Sequence, residues 1–330
     1  MRQAVNILFL GGAKRVSMAR MFQASGERLG LDVNIFSYEL SPEAPIAEVA
    51  TVIPGRRWSD PELMEDLHNA VGENRIDIMV PFVDPAVEVA ARYCASDACC
   101  STPGVDGEMA SLLFDKVASD ELFRQNGFPL PANALAGGVD GKVIAKPRCG
   151  SASKGIMVLG HEDFQRMAGS EAAADYIFQE YVERREEYTV DCYVSRAGRL
   201  ICAVPRRRME VAGGEVTVTQ TLHDAEMEHW CRRIVENLKL RGPVTIQFLR
   251  EITIGAEGER FPGRLMLMEI NPRLGGGAVC AVHAGADLPG FILGDWLERD
   301  LEECADWSVG VKICRYMQEV VFDNGKYRKQ

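Results

Sequence analysis

The chain has 330 residues, 47% of them hydrophobic, and its 37 basic and 48 acidic residues give a formal net charge of −11. This length predicts two or three packed units with sizeable cores. The acidic charge disfavours nucleic acid as a partner, because it repels phosphate backbones. The sequence has no apolar run near the ~20 residues of a membrane span, and its first apolar run is too short for a secretory signal. We therefore expect a cytoplasmic protein that has no membrane partner.

The ten cysteines raise the question of disulfides or a zinc site. None of them forms a Cys-x-x-Cys pair, and Cys192, Cys202, Cys280 and Cys314 lie within apolar runs. The spacings that indicate zinc binding are therefore missing. We expect reduced cysteines that pack as small hydrophobic residues.

The first part of the chain alternates between strand and helix patterns. Strands are predicted at 5–10, 31–37 and 76–80, and helices at 14–29, 61–72 and 84–95. This alternation predicts a parallel sheet with helices on its faces.

The pattern changes near residue 111. Residues 112–127 predict one helix, ended by Gly127 and Pro129, and short apolar runs typical of antiparallel sheet follow. The predicted strands are 142–146, 155–159, 177–182, 188–194, 199–205, 215–221, 243–250 and 264–270, with a helix at 225–239. We expect units at 1–111, 112–180 and 181–330 that pack closely, because no flexible linker separates them.

Two glycine-containing turns are candidate phosphate loops. Gly11-Gly12 lacks the rest of the dinucleotide fingerprint G-x-G-x-x-G, because residues 13–16 are Ala, Lys, Arg and Val, so a plain strand-to-helix turn is favoured. The segment 150–155 (GSASKG) follows Lys146-Pro147 and leads into a strand, whereas a P-loop leads into a helix. Its glycines, hydroxyls and lysine let backbone N–H groups approach a polyphosphate. The segment predicts a hairpin over phosphates, with an ordinary flexible hairpin as the alternative.

The segment 178–190 carries groups that suit a nucleoside. An adenine ring needs a backbone carbonyl and an N–H two residues apart, which Glu180 and Val182 offer at the end of a predicted strand. Glu187 offers a carboxylate for the ribose hydroxyls. Acidic residues on an ordinary surface are the alternative interpretation.

The most specific pattern lies on the predicted strands 243–250 and 264–270. Residues i and i+2 of a strand face the same side, so Glu269 and Asn271 project together, and Gln247 on a neighbouring strand completes the group. One carboxylate and two amides suit Mg²⁺, which takes its other ligands from water and phosphates. Arg273 then offers a planar donor to a phosphoryl oxygen, and Gly275 and Gly276 leave room for a substrate.

These motifs, in this order, resemble those of ATP-grasp enzymes, most nearly the branch of the carbamoyl phosphate synthase large subunit. The resemblance covers essentially the whole chain. It implies a pre-ATP-grasp, Rossmann-like α/β domain, followed by an ATP-grasp fold with a lid subdomain and a C-terminal antiparallel-sheet subdomain. The motifs are Lys116, Lys146-Pro147, GSASKG, QEYV, EEYTVD, GPVTIQ and MEINPRLGGG.

The resemblance also implies a role for each matching residue, with ATP and Mg²⁺, or Mn²⁺, as cofactors. Glu269 bridges two metal ions, Gln247 and Asn271 complete their coordination, and Arg273 stabilises the transferring phosphoryl group. The implied nucleotide contacts are Lys116 and Lys146 to phosphates, a lid that includes Ser151, Ser153, Lys154 and Gly155, Glu180, Tyr181 and Val182 around adenine, and Glu187 at the ribose.

The implied reaction is ATP-dependent ligation of a carboxylate to an amine through an acyl phosphate. The sequence departs from this branch in two ways: the carbamoyl phosphate synthase large subunit has two such halves in tandem whereas this chain resembles one, which argues against carbamoyl phosphate synthesis itself, and Gln247 stands where many relatives carry an acid. We expect Arg206 and Arg208, on one face of an extended segment, to bind the substrate carboxylate.

Several functions and partners remain open from the residues alone. The alternative functions are bicarbonate phosphorylation, an ATP sensor without turnover, and a nicotinamide oxidoreductase built on the N-terminal half. The expected partners are a small acid and an amine, and a homodimer is plausible from the resemblance.

Overall fold

The computed structural model describes residues 2–97, 99–150 and 154–328. The N-terminal part is a parallel sheet with strand order β3-β2-β1-β4 and helices on its faces, as predicted. Its strands are β1 (Gln3–Leu10), β2 (Leu31–Glu39), β3 (Thr51–Pro54) and β4 (Ile78–Pro81), and its helices are α1 (Val16–Leu29), α2 (Leu63–Asn74) and α3 (Asp84–Ser96). The sequence analysis missed β3, a short edge strand whose half-exposed residues show no clear alternation.

Strand β1 is buried on both faces, which explains its continuous apolar sequence. On one face Phe9 packs against Phe22 and Phe82, with ring centroids 5.4 and 4.6 Å apart. The same core continues into the C-terminal part through Tyr193 and Leu288. The first and last parts of the chain therefore share one hydrophobic core.

The prediction of a single helix over 112–127 is wrong. Two helices, α4 (Gly107–Phe114) and α5 (Lys116–Gln125), meet at Asp115, whose backbone is extended. The Asp115 carboxylate accepts hydrogen bonds from the N–H groups of Val117 and Ala118, so it caps α5 and starts a new helix. The proposed unit boundary at residue 111 falls inside α4.

A small antiparallel sheet of order β6-β5-β7, called the lid sheet below, follows. Its core of Val143, Ala145, Phe164 and Phe178 is separate from the other cores. Its elements are β5 (Val143–Pro147), β6 (Met157–Leu159), α6 (His161–Ala168) and β7 (Tyr176–Glu180).

The remainder is built on a six-stranded sheet of order β12-β11-β8-β9-β10-β13, antiparallel throughout. Its strands are β8 (Arg185–Val194), β9 (Leu200–Ala212), β10 (Glu215–Thr221), β11 (Gly242–Ile254), β12 (Arg260–Asn271) and β13 (Lys312–Cys314). The other elements are α7 (Ala225–Asn237), α8 (Val279–His283), α9 (Leu288–Trp296) and the hairpin β14 (Phe322–Asp323) and β15 (Lys326–Tyr327). The predicted α/β unit followed by antiparallel sheets is confirmed.

Two further observations concern the cysteines and the helices. All ten cysteines are free thiols, and half of them are buried. Over the described ranges, no helix combines the length and apolar character needed to cross a bilayer.

Candidate active site

A cleft of about 450 Å³ lies between the lid sheet and strands β11 and β12. Part of its wall is apolar and is formed by Ile144, Val158, Leu249 and Met268. Another part is charged or polar and is formed by Asp84, Lys116, Lys146, Glu269, Asn271 and Arg273. Such a cleft suits a ligand with a flat ring and an anionic tail.

The register of β11 and β12 brings the predicted metal group together. Gln247 pairs with Glu269, and Asn271 is two residues further along β12. The Gln247 Nε2 and Asn271 Nδ2 atoms donate to the same Glu269 Oε1 at 2.5 and 3.0 Å, while Ile270 between them is buried. All three polar side chains line the cleft, as the strand alternation predicts.

These donors fit Mg²⁺, since one carboxylate and two amides leave coordination positions for water and phosphate oxygens. Among the residues that the structure describes, no group of three or more His, Cys, Asp and Glu side chains is placed to hold a metal. Of the three side chains of this group, Glu269 carries the carboxylate that would offset the charge of an ion.

Lys146 is buried at the floor of the cleft and is held by a chain of hydrogen bonds. Its Nζ donates to Gln179 Oε1 at 2.9 Å, and Gln179 Nε2 donates to Asp120 at 2.8 Å. Asp120 is in turn paired with Arg124 at 2.6 Å. Burial lowers the pKa of Lys146 to about 8, although the nearby Glu269 carboxylate opposes the shift. Gln179 and Asp120 were not predicted as site residues, because Gln179 on β7 bonds to residues of two other elements, β5 and α5.

Lys116 starts α5 and anchors the glycine-rich segment. Its Nζ donates to the Gly150 carbonyl at 2.7 Å, and Lys154 lies on the cleft wall. Gly155 has a φ of +74°, and a Cβ there would approach the Pro147 ring at 2.9 Å, so this turn requires glycine. The predicted contacts of Ser151 and Ser153 fall outside the described residues.

The predicted adenine segment follows β7 at the cleft wall. The N–H of Tyr181 donates to the Lys142 carbonyl at 3.0 Å, and the Val182 carbonyl accepts from Arg185 at 2.8 Å. Within the described residues the Val182 N–H makes no hydrogen bond. This N–H can therefore bind the edge of a purine without breaking an existing bond.

Two acidic side chains of this region serve different contacts. Burial alone would raise the pKa of Glu180, but bonds from Arg264, at 2.9 and 3.1 Å, and from the Ala132 N–H leave it below its ordinary value. Glu187 is half-exposed in the cleft and lies 3.5 Å from Arg208. The Glu180 carboxylate is thus engaged in the fold, whereas the Glu187 carboxylate lines the cleft.

Arg273 lines the cleft and is held by a residue of the N-terminal unit. Its Nε lies 2.6 Å from Asp84 Oδ1, and both side chains are largely buried. Asp84 is the first residue of α3 and follows β4, at the carboxyl end of the parallel sheet. The sequence analysis missed Asp84, although polar residues at this edge of such sheets often contact ligands.

The two arginines predicted to bind substrate occupy different environments. Both lie within β9, which runs beyond the predicted end at residue 205. Arg208 lines the cleft, and its Nε is buried without a hydrogen bond in the described part of the chain. Arg206 is fully buried, paired with Asp191 at 2.7 Å, and does not line the cleft.

The glycines that follow Arg273 cover Arg206. A Cβ at Gly277 would lie 2.6 Å from Arg206 Nη1, and one at Gly275 would lie 3.0 Å from the Thr245 hydroxyl. A Cβ at Gly276 would meet Arg15 at 3.0 Å. These glycines therefore allow side chains to pack against the backbone, and Gly275 and Gly276 do not line the cleft itself.

The N-terminal turn at Gly11-Gly12 gives no support to the nicotinamide alternative. Burial raises the pKa of Glu39, while hydrogen bonds from Ser37 and from the N–H groups of Gly12 and Ala13 lower it in part. The N–H groups that would bind a pyrophosphate are thus directed at a carboxylate of the protein.

Comparison with known families and structures gives an independent view of the fold. The family described as "ATP-grasp in the biosynthetic pathway with Ter operon" matches residues 172–319. No curated protein matches the chain.

Solved structures of other enzymes share the fold over about nine-tenths of this chain at low sequence identity. The biotin carboxylase domain of Hydrogenobacter thermophilus 2-oxoglutarate carboxylase, solved with MgADP and bicarbonate, is 16% identical with a TM-score of 0.71, over 93% of this chain and 73% of that one. N5-carboxyaminoimidazole synthetase from Staphylococcus aureus with ADP is 15% identical with a TM-score of 0.68, over 92% and 80%. L-amino acid ligase from Bacillus licheniformis is 15% identical with a TM-score of 0.63, over 90% and 75%. The family match over residues 172–319 and the shared architecture together show that the chain has an ATP-grasp fold.

Proposed function

We propose that this protein is an ATP- and magnesium-dependent ligase, which phosphorylates a small carboxylic acid and joins it to an amine. The observation that carries the proposal is the convergence of Gln247, Glu269 and Asn271 with Lys146 and Arg273 in one cleft. A carboxylate that is flanked by amides and by buried cations suits a metal-bound polyphosphate. The ligases and carboxylases that share the fold support the same class of chemistry.

Each part of the cleft has a task in this reaction. The apolar wall and the Val182 N–H hold the adenine, and Glu187 accepts the ribose hydroxyls. Lys116, Lys146 and Lys154 neutralise the phosphates, and Arg273 contacts the transferring group. When bound, magnesium shields the charge of the phosphate oxygens. Arg208, whose Nε makes no hydrogen bond within the described residues and lies 3.5 Å from Glu187, binds the acid beside them.

The proposed reaction has two steps, phosphorylation of the acid and attack of the amine. A carboxylate oxygen attacks the γ-phosphorus, the bond to the β–γ bridging oxygen breaks, and ADP and an acyl phosphate result. The amine nitrogen attacks the acyl carbon, the carbon–oxygen bond to phosphate breaks, and the nitrogen loses a proton. The protein contributes alignment and charge stabilisation, and the glycine-rich segment limits the access of water to the acyl phosphate.

The test is an acid screen with ATP, Mg²⁺ and hydroxylamine, which traps acyl phosphates as hydroxamates. We expect hydroxamate, ADP and phosphate in equal amounts with the correct class of acid. Transfer of one ¹⁸O atom from a labelled carboxylate to the released phosphate would establish the acyl phosphate route. ADP formation with bicarbonate alone would favour the carbamoyl-phosphate type of reaction instead.

A nucleotide sensor without turnover is the second candidate. It is favoured by one observation, that Glu269 is the single carboxylate of the metal group, because Gln247 stands on the paired position of β11. Tight MgATP binding without ADP formation from any acid and amine pair would support the sensor and contradict the ligase.

A further inference from the structure

A cluster of arginines lies beyond the end of the cleft, next to the loop of Gly275–Gly277. Arg15 precedes α1 and Arg315 follows β13, and both donate hydrogen bonds to Glu215 on β10. The Glu215 carboxylate accepts from Arg15 at 3.0 Å and from Arg315 at 2.9 Å, so two guanidinium groups share one carboxylate.

The cluster is continuous with the proposed substrate end of the cleft. Gly214, beside Glu215, lines the cleft, and its carbonyl lies 3.4 Å from Arg208 Nη2. A Cβ at Gly276 would lie 3.0 Å from Arg15 Nη1, 3.4 Å from Glu215 Oε2 and 3.5 Å from Arg315 Nη2. Gly276 thus lies next to both guanidinium groups and, in sequence, three residues after Arg273, which lines the cleft.

The positive charge of the cluster exceeds its negative charge. Three arginines, Arg15, Arg206 and Arg315, are paired with the two carboxylates of Asp191 and Glu215. Arg206 Nη1 is buried against Gly277 and has no hydrogen-bond partner in the part of the chain that the structure describes. Burial lowers the pKa of Arg315, and the charges of Arg15 and Arg206 add to this effect.

An ion-pair contact between units of the fold does not explain this arrangement well. Such a contact is usually balanced, as in the pair of Arg28 and Asp287, which joins α1 to the start of α9 at 2.7 Å. The Glu215 side chain is 46% exposed and the Arg315 side chain 29% exposed, so solutes reach the cluster. Unbalanced, reachable guanidinium groups next to a reaction site are typical of anion recognition.

We propose that Arg15 and Arg315 form a second anion subsite, and that the acid substrate carries two separated anionic groups. One carboxylate is activated beside Arg208 and Arg273, and the second group, a carboxylate or a phosphate, binds Arg15 and Arg315 across Gly276. The substrate class rests on the proposed ligase function, whereas the anion subsite itself does not.

The experiment compares matched acids that differ only at their far end. Monocarboxylic acids of increasing chain length are tested beside their ω-carboxy and ω-phospho counterparts, both for hydroxamate formation and for calorimetric binding to protein loaded with a non-hydrolysable ATP analogue and Mg²⁺. We expect the doubly anionic acids to bind and react at least about tenfold better than the matching monoacids, as expected for one charge-assisted contact. The ω-carboxy and ω-phospho series identify which group the subsite prefers.

Two variants and a control test the residues. Arg15→Gln and Arg315→Gln should each reduce this preference for doubly anionic acids about tenfold. Arg28→Gln, which breaks the ion pair of α1 and α9, should leave the preference unchanged. Thermal unfolding of each variant verifies that it is folded.

Three results would contradict the subsite. They are equal binding of monoacids and doubly anionic acids, an equal loss of both classes in the Arg15 and Arg315 variants, and a failure of every doubly anionic acid to bind. Binding of doubly anionic acids that is sensitive to Arg15 and Arg315, without any hydroxamate, would retain the subsite and overturn the ligase function.

Discussion

Strands β12 and β9 of the same sheet both carry polar residues at every second position, but these residues differ in their access to the cleft. At the end of β12, Glu269 and Asn271 both face the cleft, and each makes hydrogen-bonding contacts that a ligand can replace. On β9, Arg208 faces the cleft, but Arg206 on the same face is enclosed beneath the glycine loop and paired with Asp191. The two-residue alternation of a strand determines on which face of the sheet a side chain lies. The segment that covers that face determines whether a ligand can reach the side chain.

The largest expected effect is a loss of turnover when Glu269, on β12, is replaced. Glu269→Ala should lower kcat about a thousandfold, because the carboxylate of the metal group is lost and several kcal/mol of charge stabilisation go with it. ADP formation with the acid identified by the screen measures it. Glu259→Gln, an exposed acid in the turn between β11 and β12, is the matched control. Near-normal turnover of the Glu269 variant would contradict the metal assignment.

The next effect is a loss of stability when the buried ion pair of Arg206, on β9, is broken. Asp191→Ala should reduce the free energy of unfolding by about 3–5 kcal/mol, because it leaves the buried Arg206 cation without a partner. Urea unfolding measures this loss. The double variant Asp191→Leu with Arg206→Met should recover most of the stability, since an apolar pair replaces a buried ion pair. A single variant as stable as the wild type would mean that Arg206 is not enclosed as described.

A smaller effect is expected where the N-terminal unit holds Arg273. Asp84→Asn should lower kcat about tenfold with little change in the KM for ATP, because Arg273 loses its charged partner at 2.6 Å and is less well aligned. Steady-state kinetics separate the two constants. Asp84→Glu should restore part of the rate, and Glu88→Gln, an exposed acid on the same helix, should have no effect. An unchanged kcat in Asp84→Asn would contradict the positioning role.

The smallest effect is a pH dependence. Because burial lowers the pKa of Lys146 to about 8, the free protein loses this charge as the pH rises through 8. We expect ATP to bind the protonated form, so its affinity should fall by at most about tenfold per pH unit above that point. Calorimetric titration of MgATP from pH 7 to 9 measures it. Lys146→Arg, which stays charged, should flatten the profile, and a flat wild-type profile would contradict the assignment.

The parts of the site that depend on local periodicity were predictable from the sequence. The shared orientation of Glu269 and Asn271 follows from the two-residue period of a strand, and the position of the glycine-rich segment between two strands follows from its flanking apolar runs. The same holds for the layers of the fold, because apolar alternation reports which face is buried. The chemical roles of these residues stay predictions.

The contacts between distant segments were not predictable in this way. Arg273 and Asp84 are 189 residues apart, and Arg15 and Glu215 are 200 residues apart. A single sequence has no periodic signal for such pairs. The helix break at Asp115 was missed for a different reason, because the flanking residues continue a helical pattern and a capping aspartate looks like any surface acid.

The hydrophobic core shared by the first and last parts of the chain has a consequence for any attempt to divide the protein. An isolated C-terminal fragment would uncover part of the core that Tyr193, Val204 and Leu288 share with residues of β1, β2 and α1. About 25 cal/mol of solvation free energy opposes each Å² of apolar surface uncovered in this way. We expect such a fragment to aggregate. An exchange of the N-terminal unit for that of a homologue therefore requires that the C-terminal residues of the shared core be exchanged with it.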